Sequence, residues 1–271
     1  MRKLAALMLL TGLYACNNQK TDKVIDSATK TVAGSSTDTL SYTYDSVKVY
    51  SKTPVSVNKN VTDTAKAVVS YPLFADETAN KFVQEKVIGL AGKQGAYKNY
   101  KELANGFIQE FDNFKSKNAD SPESWFEELD LKVTANYPDY LSVLFTYVDY
   151  RGGAHPNTLF TYVNYNPKNN QTLTLDTVIT TEGMPLLRQV AEKIFRNNEK
   201  LGPNASLSEG YFFAEGKFAL AQTFTLTKDG LKFLYNPYEI KAYAAGTTEL
   251  IVPYSAIKDI LKPTPVLSNF K

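Results

Sequence analysis

The strongest constraint on the fold lies in the middle of the chain. Leu129, Leu131, Val133, Ala135 and Tyr137 alternate strictly with polar residues, the period of a strand with one buried face. A Tyr-Pro-Asp turn over residues 137–139 follows, and Leu141 to Tyr150 is then almost continuously apolar. This pairing predicts a hairpin whose second strand runs near the middle of a sheet. A chain built on such a hairpin needs further strands beside it and a layer to cover it.

The flanking sequence offers both. Leu40, Tyr42 and Tyr44 alternate, and Val47 and Val49 continue in the opposite phase, which predicts a strand with a bulge. Ala67, Val69, Tyr71 and Leu73 predict another, with Pro72 marking an edge or an irregular end. Asp76 is placed to cap a helix whose apolar residues Ala79, Phe82, Val83, Val87 and Leu90 recur at helical spacing as far as Gly92. Tyr100, Leu103, Phe107, Phe111 and Phe114 form the stripe of a second helix, and an aromatic stripe of this kind reads as core.

Beyond the hairpin, strands are predicted over 159–165 and 172–175, then a helix over 185–197 with Pro185 in its first turn. Strands over 218–227 and 231–235 flank Lys228-Asp229-Gly230, where Asp-Gly tolerates positive φ. A strand over 248–252 and a closing helix over 255–261 complete the order. The fold class is therefore α+β: mainly antiparallel sheets with packed helices, in two consecutive α+β halves.

The residue inventory excludes much chemistry. One Cys and one His in 271 residues rule out an intrachain disulfide, a multi-Cys zinc site and any site needing two imidazoles. There is no GxSxG elbow and no Gly-rich phosphate loop. No catalytic residue, cofactor or metal is predicted.

The single Cys has a specific address. Arg2 and Lys3 precede an apolar run, Leu4 to Tyr14, whose eleven residues are too few for the ~20 of a membrane span but suit a secretory signal. The run ends Leu13-Tyr14-Ala15-Cys16, which resembles the lipobox of bacterial lipoproteins and implies lipid attachment at Cys16 after cleavage. Asn17, by resemblance to lipoprotein sorting, points to the outer membrane. Removing residues 1–15 takes away Arg2 and Lys3 and no acid, so the formal charge falls from +2 to zero. That balance argues against a nucleic-acid partner. Residues 17–40 hold no aromatic side chain and read as a flexible tether with a reach of roughly 25–30 Å. The expected organisation is thus a signal peptide over 1–15, a lipidated Cys and tether over 16–40, and α+β units over 41–158 and 159–271.

Three stretches together resemble a known family: Tyr150-Arg151-Gly152-Gly153-Ala154-His155-Pro156-Asn157; Asn164-Tyr165 through Leu173-Thr174-Leu175-Asp176; and Asp229-Gly230-Leu231 followed by Tyr235-Asn236-Pro237-Tyr238-Glu239-Ile240, Ala242 to Gly246, and Val252-Pro253-Tyr254. They are similar to the extracytoplasmic module shared by the RsiV anti-sigma factor and PdaC-type peptidoglycan deacetylases, a deacetylase-associated domain followed by an RsiV-type domain. The resemblance spans roughly residues 41–261. RsiV carries a sigma-binding segment and a transmembrane helix before this module, where the present chain has a lipoprotein signal and tether. The deacetylases hold their metal chemistry in a separate domain with His and Asp ligands, and with a single His this chain is not expected to carry that domain. The resemblance therefore implies a recognition module, with lysozyme or peptidoglycan as the suggested ligand, and no enzymatic activity. A cell-wall hydrolase or deacetylase of unfamiliar type is the alternative.

The candidate ligand-binding residues are Arg151, Gly152, Gly153, His155, Pro156 and Asn157 in the first motif, and Tyr238, Tyr243 and Gly246 in the third. His155 admits a structural reading, bonding backbone at a glycine-permitted turn, as well as a ligand-contacting one. Tyr238 and Tyr243 likewise read either as loop-anchoring core or as exposed contact residues. Glu127, Glu128 and Asp130 could mimic the paired carboxylates of glycoside chemistry, but Glu128 and Asp130 lead into an alternating strand whose other face is apolar and read as a solvated face.

Overall fold

The structure is a computed structural model and describes residues 39–58, 61–93 and 95–270; Cys16 and most of the tether fall outside them. The first half opens with β1 (Tyr42–Asn58) and β2 (Val61–Phe74), an antiparallel pair. Helices α1 (Glu77–Ile88) and α2 (Tyr100–Lys117) then carry the chain across the sheet. It returns as β3 (Phe126–Tyr137), parallel to β2. β4 (Tyr140–Tyr150), β5 (Asn157–Asn166) and β6 (Gln171–Thr172) follow in antiparallel order. The result is one six-stranded sheet in sequence order with a single parallel pair. It continues through residue 158, so the passage between the two halves falls inside a sheet.

Local chemistry accounts for the helices. The Asp76 carboxylate accepts the N–H groups of Thr78 and Ala79 at 2.7 and 3.0 Å, and Asn99 accepts that of Glu102 at 2.8 Å, while Glu102 reaches back to the Lys98 N–H at 2.9 Å. Both helices cover one sheet face. Val83, Val87 and Leu103 pack on Val69, Leu129, Leu131, Val143 and Phe145. The aromatic stripe of α2 is core as expected: Phe107 and Phe111 are buried with Trp125 over Ala65 and Ala67.

Two features of β1 and β2 have local causes. The register of β1 is unbroken from Tyr42 to Tyr50, and its irregularities fall later, between Tyr50 and Pro54 and between Ser56 and Asn58. The phase change predicted as a bulge is a change of face instead. Val47 and Val49 pack against the helix-covered core, while Tyr44 is exposed and its hydroxyl accepts the Val133 N–H at 3.2 Å. Pro72 is tolerated because β3 pairs only with residues 66–70 of β2, leaving Pro72 beyond the ladder that needs an N–H.

The second half contains α3 (Leu175–Val178), α4 (Met184–Asn198), a three-stranded antiparallel sheet of β7 (Phe224–Thr227), β8 (Gly230–Tyr235) and β9 (Thr248–Val252), and α5 (Pro265–Ser268). Leu187, Ala191 and Phe195 of α4 share a core with Leu231, Phe233, Leu250 and Val252. Three expectations are corrected here. Residues 218–223 are not strand: Phe218 and Ala221 are buried, but only Phe224–Thr227 pairs with β8. Residues 172–175 supply only the end of β6 and the first residue of α3. The closing helix over 255–261 is replaced by two short turns, Tyr254–Ala256 and Lys258–Ile260. There the backbone finds partners elsewhere: Thr180 N–H donates to Ile260 O at 3.0 Å and Lys262 N–H to Val178 O at 2.8 Å, and Pro263 discourages helix at the residue before it.

A buried polar seam joins the two sheets. Ser142 and Asn164 are register partners on the face of the large sheet opposite the helices. The Tyr140 hydroxyl donates to Asn164 Oδ1 at 2.8 Å and accepts the Leu226 N–H at 2.9 Å. Thr225 Oγ1 lies 2.9 Å from both the Tyr140 and Ser142 hydroxyls, and Asn164 Nδ2 donates to Phe224 O at 2.7 Å. Tyr140, Ser142, Asn164 and Thr225 are all at most 5% exposed. Burial pushes the Tyr140 phenol up from its ordinary value, so it stays a neutral donor. The second half is therefore bonded to the uncovered face of the first.

Candidate recognition surface

The candidate surface forms where two loops meet. The first connects β4 to β5. Gly152 and Gly153 adopt φ of +93° and +116°, a left-handed run that turns the chain at the end of β4. The Tyr150 hydroxyl donates to Gly153 O at 3.0 Å and fixes the turn from below. His155 emerges exposed at its tip, followed by Pro156 and by Asn157, which is also exposed and opens β5 opposite Asp149.

The second loop leaves β8. The Asn236 side chain accepts the Phe160 N–H at 2.7 Å and donates to Phe160 O at 2.9 Å, filling two backbone positions on the open edge of β5 as a strand would. Glu239 closes the turn: its N–H donates to Asn236 O at 3.0 Å and its carboxylate accepts the Asn236 N–H at 2.8 Å. Within this turn Tyr238 takes a φ of +67° and is 57% exposed. A left-handed conformation costs a non-glycine residue roughly 1–2 kcal/mol, so the surroundings hold Tyr238 there. Ile240, 3% exposed, pins the far side of the loop, and Gly246, at φ +67°, leads it into β9.

The anchored loops bring three rings together. His155 and Tyr243 stack at 4.0 Å between centroids with 14° between planes. Tyr238 lies 5.4 Å from Tyr243 and 6.0 Å from His155. His155 Nδ1 is 2.9 Å from Pro156 O, which can only accept, so the proton sits on Nδ1. Nε2 lies 3.3 Å from the Tyr238 hydroxyl. Tyr243 also donates to Pro156 O, at 3.2 Å. The polar edges of these residues anchor the loops, while His155 and Tyr238 are exposed and Tyr243 is half-buried.

Arg151 is turned elsewhere. Its guanidinium forms a close ion pair with Glu110, another with Asp149 at 3.1 Å, and lies over the Phe107 and Trp125 rings at 4.8 and 5.5 Å. Burial acts to lower its pKa, but the hydrogen bonds and charges of Glu110 and Asp149 outweigh it and raise it. Glu127, register partner of Asp149, is 1% exposed. Strand alternation places it on the helix-covered side, where it accepts from the Tyr147 hydroxyl at 3.2 Å. Burial and the Glu127 charge push the Tyr147 phenol up. Glu128 and Asp130 do face solvent, paired with Lys66 at 2.6 Å and Lys132 at 2.9 Å. The three carboxylates therefore do not converge in one cleft.

Among the described residues, no group of three or more His, Cys, Asp or Glu is placed to hold a metal ion, and no helix is long and apolar enough to cross a membrane. The seam of Tyr140, Asn164 and Thr225 and the strand-like role of Asn236 were not anticipated from sequence.

Comparison with known proteins locates both loops. Residues 58–158 match a family model described as Deacetylase PdaC, and residues 177–255 match one described as a protein of unknown function, DUF3298. The immunogenic proteins MPB64 of Mycobacterium bovis and MPT64 of Mycobacterium tuberculosis are each 28% identical over 178 residues, 61% of this chain and 74% of theirs. A DUF3298 family protein from Bacteroides fragilis shares the fold with a TM-score of 0.63 at 22% identity, covering 85% of this chain and 97% of that one. Another, from Pseudomonas aeruginosa PAO1, gives 0.58 at 18% identity, covering 81% and 94%. His155 falls in the first matched segment and Tyr238 and Tyr243 in the second.

Proposed function

We propose that this chain, a PdaC/DUF3298-type module of extracellular type, acts as a non-catalytic recognition module of the bacterial cell envelope. It is held to a membrane, the outer membrane by the Asn17 signal, through lipid on Cys16. Its ligand is a protein or glycan of the envelope, lysozyme or peptidoglycan by family resemblance. One observation carries this reading: two loops more than 80 residues apart are locked into a single exposed aromatic surface. Tyr238 stays solvent-exposed despite its strained backbone, a conformation that favours a surface set in advance for a partner. Glu239, which follows Tyr238, is tied into its own turn, and Asp149 and Glu110 are engaged by Arg151.

The test uses the purified protein with insoluble peptidoglycan and, separately, with lysozyme. Stable co-sedimentation or co-elution with one of them, without release of acetate or reducing sugar, is the expected result. Release of either product would overturn the non-catalytic assignment, and the hydrolase or deacetylase reading would replace it.

A further inference from the structure

The surface also carries information about what it binds, provided the recognition reading holds. Its loops offer no unengaged cation. Arg151 is committed to Glu110 and Asp149, and Lys241 pairs with Glu199 at 2.6 Å. Glu239 is tied into its own turn. The polar edges of the rings are also in use: both His155 nitrogens, the Tyr243 hydroxyl and the neighbouring Tyr150 hydroxyl all have protein partners. What remains most open is the Tyr238 ring, 57% exposed and bordered by Tyr243 and His155. An anionic ligand would find no free counter-charge here.

Size narrows the choice further. A stable protein complex takes about 800 Å² from each partner, whereas a fully buried aromatic side chain contributes only about 150–250 Å². Tyr243 is half-buried, so the three rings together fall well short of a protein footprint. They do match the flat face of one or two pyranose rings. The C–H bonds on that face carry partial positive charge and meet the negative π-face of an aromatic ring, while the equatorial hydroxyls stay in water. Rigidity favours such a weak contact, since Asn236, Ile240 and the two glycines fix both loops before a ligand arrives.

We infer that the His155–Tyr238–Tyr243 surface binds an uncharged sugar chain by stacking pyranose faces on Tyr238. The ligand is recognised by ring faces and not by charge.

The experiment titrates the purified protein with N-acetylglucosamine oligomers, followed by NMR chemical shifts, at low and at high salt. Saturable binding that is insensitive to salt is expected, because no ion pair forms. Tyr238→Ala is expected to weaken it about tenfold, the scale of one aromatic stacking contact. Tyr238→Phe, which keeps the ring face, retains most of it. Tyr238 is exposed, so both variants keep the fold, and Tyr243→Ala supplies an independent second test. Absence of saturable binding by the wild type, or Tyr238→Ala binding as tightly as wild type, overturns the inference. Binding to lysozyme without binding to the oligomers removes the sugar assignment and leaves the recognition reading intact. Association with none of lysozyme, peptidoglycan and oligomers removes both.

Discussion

Replacing Tyr140 with Phe tests whether the two sheets form one cooperative structure. The ring remains and no cavity opens, so the change removes a single oxygen. That oxygen donates to Asn164 Oδ1, accepts from the Leu226 N–H and contacts Thr225 Oγ1, all at 2.8–2.9 Å. Thr225 keeps Ser142 Oγ and Asn164 Nδ2 keeps Phe224 O, while Asn164 Oδ1 loses the phenol proton. The Leu226 N–H loses its bond at a position 1% exposed to solvent. An orphaned buried donor costs about 1–3 kcal/mol, and each net hydrogen bond lost about 0.5–1.5 kcal/mol. The variant is therefore expected to be less stable by about 2–4 kcal/mol, a melting shift of roughly 4–16 °C for a fold of this size. Urea unfolding followed by both tryptophan fluorescence and far-ultraviolet circular dichroism is the assay. The only Trp, Trp125, packs in the α2 core of the first half, away from the altered oxygen. If the seam couples the halves, the fluorescence transition moves together with the dichroism. A loss below about 0.5 kcal/mol, within the reach of an ordinary surface change, would refute the accounting. A tryptophan transition that stays in place while a second phase appears would refute the coupling.

Other perturbations follow from the same structure. Arg151→Ala strands the buried Asp149 carboxylate and is expected to cost about 2–3 kcal/mol in chemical denaturation, at or under the ~3–5 of a fully buried pair because solvent reaches part of the guanidinium. Arg151→Lys recovers only part of that, since an ammonium cannot fork between two carboxylates while remaining over Phe107 and Trp125; full recovery would argue that charge alone matters. Gly230→Ala would put a Cβ 2.1 Å from Val252 O at a φ of +144°, so β9 has to shift; a loss of at least ~2 kcal/mol is expected, and an unchanged melting temperature would contradict the packing. Stability is also expected to fall at alkaline pH. Burial, with the Glu199 hydrogen bond, pushes Tyr211 up to about 12 from an ordinary value of 10.0, so the native state retains a proton that the unfolded chain releases. Its contribution is complete below pH 10 and disappears as pH rises through 12, with Tyr100 and Tyr235, raised further by burial, acting in the same direction. A urea midpoint that stays constant from pH 9 to about 12 would count against this.

How much of this was legible in the sequence depended on the range of the interaction. The hairpin of β3 and β4, both long helices and β9 follow from periodicity and caps, which act over a few residues. The β7–β8 hairpin was also legible from the Asp-Gly pair, whose glycine takes the positive φ, +144° at Gly230. Asp229 is not left-handed, and the backbone of β9 also passes too close to Gly230 for a Cβ. Errors arose where backbone found a distant partner. Residues 255–261 carry an amphipathic pattern, but Ile260 and Lys262 bond to the segment around residues 178–180 and the helix is lost. Glu127, one residue before the solvent-facing Glu128, follows by period two onto the covered face, where Asp149 and Tyr147 are its neighbours. A strand's period outweighs the polarity of one residue when the next strand is already fixed.

The candidate surface was half legible, and the missing half is a matter of topology. Each loop could be singled out on its own: one by paired glycines before the only His, the other by clustered tyrosines around small residues. Nothing in either loop indicates the other. Their meeting depends on Asn236, whose side chain occupies the free backbone positions of Phe160 at the edge of β5. That edge is open because β6 is only two residues long and pairs no further along β5 than Tyr165. A longer β6 would occupy the positions Asn236 needs and leave Tyr238 away from His155. The short strand, an apparent defect in the sheet, is thus what lets the second half seal the first and build the surface from both.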